Sequence, residues 1–150
     1  MAEDDIVPYS LSQHPDPHRH AVEVWALLLA LFAAPIFWAG NLMIDYALVS
    51  HACYPGDVPL AAPSAGFGFV WPLVFAFHLL TLLVIAGGFV LAYRNWRVTG
   101  PPQGHAHQLM HRGEGRSRYF GIVAMGWSVI FFVIVATQTV SFYWVALCVR

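Results

Sequence analysis

The stretch FGFVWPLVFAFHLLTLLVIAGGFVLAY, residues 67–93, decides the fold. It belongs to a run of thirty-six residues between Asp57 and Arg94 that carries no formal charge. A helix needs about 20 apolar residues to cross the roughly 30 Å hydrocarbon core of a bilayer, and this run supplies them with residues to spare. Two more such runs flank it. Residues 24–44 are uncharged, and so are the thirty-one residues between Arg118 and Arg150. The pattern predicts an all-α integral membrane protein of three transmembrane helices, over about 24–50, 67–93 and 119–147.

Composition supports this reading. The 150 residues are 59% hydrophobic and 10% charged, against about 25% charged in a soluble domain. The net charge of −1 leaves no basic field to collect phosphates, so nucleic acid is not an expected partner. All seven cations are arginines, and six of them, Arg19, Arg94, Arg97, Arg112, Arg116 and Arg118, fall before the first span or between the second and third. The positive-inside rule therefore predicts a cytoplasmic N-terminus and an outside C-terminus, with Arg150 the exception. Met1 to Asp5 lack the basic start of a secretory signal, and the first apolar run is long for a cleaved segment, so the first span is expected to be retained.

Residues 1–22 mix acids, prolines and histidines and are expected to form a flexible cytoplasmic tail. The segment 94–118 reads as a cytoplasmic linker, and 23–150 as one transmembrane domain. Pro35 is expected to kink the first helix by removing a backbone hydrogen bond, whereas Pro72 falls in a first turn, where the missing amide costs least. Glu23 reads as a first-turn acid favoured by the helix dipole. Trp25, Tyr93, Trp96 and Tyr119 mark one membrane interface, and Tyr46, Trp71, Tyr143 and Trp144 the other. Small residues four apart, Ala26/Ala30/Ala34 and Gly88/Ala92, favour close helix approach.

Two sets of side chains could carry chemistry. Cys53 and Cys148 both fall at the predicted outer face, where a disulfide is the leading expectation. Two unpaired buried thiols, or metal ligation together with His51, are the alternatives; an imidazole and two soft sulfurs would suit copper or zinc. The second set is the intramembrane polar cluster Asn41, Asp45, His78 and Gln138, all at similar depth. Asn41 and Asp45 share a helix face. An acid in hydrocarbon needs protein or water beside it, so the cluster reads either as a proton path or cofactor contact, or as hydrogen-bonded glue between helices. His78 has no second intramembrane histidine with which to hold a haem. Of the remaining histidines, His14, His18, His20, His105, His107 and His111 are predicted cytoplasmic, where solvation or weak metal binding is expected. No nucleophile-elbow, phosphate-loop or zinc-protease motif occurs, so no catalytic residues are expected.

Pro35-x-x-Trp38, Tyr46-Ala47-Leu48-Val49 running to Cys53, Arg118-Tyr119-Phe120, Gln138 and the terminal Cys148 together resemble small bacterial three-span membrane proteins associated with haem-copper cytochrome c oxidase systems. The resemblance covers roughly residues 24–148. It departs at Asn41, where that pattern often has histidine, which puts a metal role at that position in doubt. It implies a non-catalytic accessory subunit or assembly companion in the bacterial inner membrane, with lipid and other integral membrane subunits, such as those of cytochrome oxidase, as partners. No cofactor of its own is expected, copper and haem being the two considered. The alternative from a different class is a small metal- or solute-handling membrane protein using His51, Cys53 and Cys148 at the outer face.

Overall fold

The structure, a computed structural model, describes residues 23–99, 116–144 and 148. The tail, most of the linker, the six histidines predicted cytoplasmic and Arg150 lie outside the described residues. Three long helices account for nearly everything described: α1, Val24–Cys53; α2, Val70–Val98; and α3, Arg116–Trp144. All three are long and apolar enough to cross a membrane. At 1.5 Å per residue each is about 45 Å long, so its ends reach the headgroups or the helix tilts. The protein is thus a multi-pass membrane protein with an all-helical bundle, and its apolar exterior is suited to lipid.

The helix limits follow local chemistry. Glu23 caps α1 rather than standing in its first turn: its backbone carbonyl accepts from Ala26 and Leu27 at 3.0 and 3.3 Å, and its side chain makes no cap bond. Helix α1 continues through Pro35 to Cys53 as one element. Pro72 is the third residue of α2, where no amide is required. Helix α3 starts before Tyr119 and ends at Trp144, which leaves Cys148 beyond the helix.

The 54–69 connection closes back on α1. Leu60 and Ser64 donate their amides to the carbonyls of Cys53 and Ala52, both at 2.9 Å, and Tyr54 donates to Ser50 at 2.9 Å. These bonds satisfy carbonyls that a helix C-terminus leaves open. Gly56 and Gly66 take φ of 73° and 94°, backbone that residues with a Cβ adopt at a cost.

Each helix packs against both others, and the core divides into three layers. At the disulfide end, Ala52, Cys53, Val70, Val74 and Cys148 pack together. In the middle are Ala34, Ile85, Phe131 and Val135, with Trp38 against them; the Trp38 and Phe131 rings are 5.2 Å apart. At the other end Ala30, Ala92 and Ala124 meet. Here the helices come nearly to backbone contact, because a Cβ on Gly121 would stand 3.3 Å from Trp96 Cβ and 3.5 Å from the Ala92 carbonyl. The expected small-residue faces are therefore used, with Ala30, Ala34, Gly88 and Ala92 all buried.

The aromatic residues cluster by end. Tyr93 and Trp96 pair at 5.8 Å. The Arg118 guanidinium lies 5.0 Å over the Trp96 ring, and that of Arg97 lies 5.9 Å over Tyr93. At the disulfide end Trp71 packs with Tyr143, centroids 6.2 Å apart. Cation–π contacts of this kind let a charged head and its ring share one interfacial depth.

Candidate functional site

Between the disulfide-end layer and the middle layer, the three helices turn polar side chains toward one another. On α1 the four-residue spacing puts Asn41 and Asp45 on one face, and Asn41 Nδ2 donates to Asp45 Oδ2 at 3.3 Å. From α2, His78 brings its Nε2 to 3.4 Å from the same carboxylate oxygen. Asn41 and His78 are 3% and 2% exposed, and the Asp45 side chain 19%. An ionisable group this deep in a bundle suited to hydrocarbon is expected to face protein, and Asp45 faces His78 and Asn41.

The other ring nitrogen defines the protonation chemistry. His78 Nδ1 stands 2.9 Å from the Val74 carbonyl. A carbonyl only accepts, so Nδ1 carries a hydrogen, and a neutral ring then points the Nε2 lone pair at Asp45. Two acceptors facing each other need a proton or a cation between them. The position a haem iron would need at Nε2 faces this carboxylate.

A groove of about 460 Å³ lies over the pair, between α1 and α3. Leu42, Asp45 and His78 line it together with Thr137, Gln138, Ser141 and Phe142. Phe142 stacks on the His78 ring with centroids 5.8 Å apart. Thr137 turns its hydroxyl back to the Val133 and Ile134 carbonyls at 3.0 and 2.8 Å. Three buried oxygens, Asn41 Oδ1, Asp45 Oδ1 and Gln138 Oε1, and the Trp38 Nε1 donor have no hydrogen-bond partner among the described residues. Among the described residues Asn41 bonds within its own helix and the Gln138 carbonyl oxygen has no partner, while the contact between helices is that of His78 with Asp45.

The cysteines form a different site. Cys53 and Cys148 sulfurs are 2.04 Å apart, with their Cα atoms at 5.3 Å, so the structure pairs them as a disulfide. Bonded sulfurs are not thiolates and offer a metal no soft ligand. His51 turns outward, and its Nδ1 lies 2.9 Å from the Ala47 carbonyl. Among the described residues no three His, Cys, Asp or Glu side chains gather around a common point.

Of the four cluster residues named from sequence, Asn41 and His78 both reach the Asp45 carboxylate, and Asp45, His78 and Gln138 line one groove. Sequence reading missed Leu42, Thr137, Ser141 and Phe142. A signal for the last two existed, since positions three and four beyond Gln138 share its helix face. Compared with protein-family models, curated proteins and solved structures, the chain matches none.

Proposed function

We propose that this chain is a non-catalytic accessory subunit or assembly companion of a respiratory membrane complex, a haem-copper cytochrome c oxidase by its resemblance, in the bacterial inner membrane. The observation that carries the reading is how the polar groove sits in the bundle. Below it the middle layer is apolar and the far layer brings the helices to near-backbone contact at Ala30, Ala92 and Ala124. Above it lies the Cys53–Cys148 layer. A solute carrier needs a polar route from one side to the other, and these layers leave the groove flanked by apolar packing. A rigid three-helix unit with apolar outer faces suits a role beside larger membrane subunits. The disulfide weighs against a metal carrier built on His51, Cys53 and Cys148.

Affinity purification in mild detergent tests the proposal. Oxidase subunits and their haem absorption are expected to accompany the chain in fixed ratio. Recovery of the chain alone, under conditions that keep the oxidase intact, would contradict it.

The same proposal places the arginine-bearing ends of α2 and α3 in the cytoplasm and the disulfide outside, where thiols oxidise. Alkaline phosphatase fused after Ala61 is expected to be active and a fusion after Gly104 inactive. The opposite pair of results would invert the orientation.

A further inference from the structure

We propose that Asp45, His78 and Gln138 form a binding site for one divalent transition-metal ion, such as zinc, within the disulfide-end half of the membrane domain. Three observations converge on it. The first is spacing. A charge-assisted hydrogen bond between imidazole and carboxylate runs to about 2.7–2.9 Å, and the 3.4 Å between His78 Nε2 and Asp45 Oδ2 is longer. Two ligands on one tetrahedral zinc, each about 2.0–2.2 Å from the metal, stand about 3.3 Å apart.

The second is the support behind each ligand. A metal-bound histidine generally donates its other ring nitrogen to a carbonyl or carboxylate, which fixes the tautomer and turns the lone pair to the metal. His78 does this through Nδ1 to the Val74 carbonyl at 2.9 Å. On the Asp45 side, the Asn41 amide holds Oδ2 at 3.3 Å. Phe142 stacks on the imidazole and fixes its plane.

The third is an excess of acceptors. Asp45 Oδ1 and Gln138 Oε1 are buried oxygens to which no donor among the described residues is offered. Both residues line one groove with His78. A buried acceptor without a partner is costly, and a cation satisfies several at once. One imidazole and one carboxylate are ligands that zinc accepts, and the Gln138 oxygen lines the same groove, where it and water can complete the coordination.

The site belongs to this chain alone and does not depend on the accessory-subunit reading. Its test uses the full chain, without an affinity histidine tag, stripped of metal in detergent and dialysed against Zn²⁺. His14, His18, His20, His105, His107 and His111 are replaced by glutamine in a parallel form to remove competing ligands. Both forms are expected to retain one zinc per chain. Asp45→Asn and His78→Gln should each weaken zinc at least about 100-fold, while His51→Gln leaves it unchanged. Formation of the Cys53–Cys148 bond reports that each variant is folded. Gln138→Glu, which puts an anionic ligand where the amide stood, should tighten zinc about tenfold or more. Co²⁺ in place of Zn²⁺ should give the visible absorption of a tetrahedral nitrogen and oxygen site, without thiolate charge transfer. Zinc lost with the six glutamine replacements, zinc indifferent to Asp45 and His78 in folded variants, or no stoichiometric zinc at all would each overturn the proposal; the last would leave a proton as the bridge between Asp45 and His78.

Discussion

Serine at Cys53 or Cys148 is expected to cause the largest loss of stability of any single substitution in the described bundle. The bond joins positions 95 apart in sequence, and closing a loop of about 100 residues in the unfolded chain is worth up to about 4.7 kcal/mol in the chain-entropy model. The segment inside that loop includes the whole of α2 and the 100–115 stretch, so without the bond α3 is tied to α1 only by packing. Both cysteines are buried, 1% and 4% exposed, in a layer with Ala52, Val70 and Val74. Each serine would place a hydroxyl where a sulfur packed, adding to the loss. The cost should appear as a lower midpoint in titration with a denaturing detergent, followed by helix content. Reducing the wild-type protein should move its midpoint toward that of the serine variants. A wild-type midpoint unchanged on full reduction would show that the bond contributes nothing to holding α1 against α3.

Much of this bundle was legible in the sequence because a bilayer imposes simple rules. Uncharged runs of helical length gave the three spans, and the four-residue spacing of alanine and glycine marked the faces that meet. One limit moved where capping decides it: Glu23 lies just outside α1 as its N-cap. The joining of the cysteines needed a distance that spacing in sequence does not contain. The polar cluster was visible as a shared depth, since one rise per residue places Asn41, Asp45, His78 and Gln138 at one level. Depth alone does not say which way a helix is rotated. That the His78 imidazole meets the carboxylate, while the Gln138 oxygen goes unbonded, depends on the rotation of α2 and α3 about their axes, which packing against Phe142, Val74 and Trp38 decides.

His78→Leu is expected to produce the second large effect, because it removes the imidazole from a buried acid. Truncating one member of a buried ion pair costs about 3–5 kcal/mol, and less where the stranded carboxyl takes up a proton. Asp45→Leu leaves the buried His78 Nε2 without its facing group and the Asn41 amide without its acceptor, a loss of about 1–3 kcal/mol. Replacing both partners removes the unmatched groups together, and apolar pairs of similar size often equal or exceed a buried ion pair in stability. That Asp45 and His78 answer one another inside the membrane domain is the centre of this account, and a double-mutant cycle on metal-free protein measures it most directly. Detergent denaturation midpoints of wild type, the two single leucine variants and the double variant give the coupling. The expected result is a double variant more stable than His78→Leu alone, with a coupling of about 1–3 kcal/mol. Strictly additive losses, with the double variant the least stable of the four, would contradict the pairing.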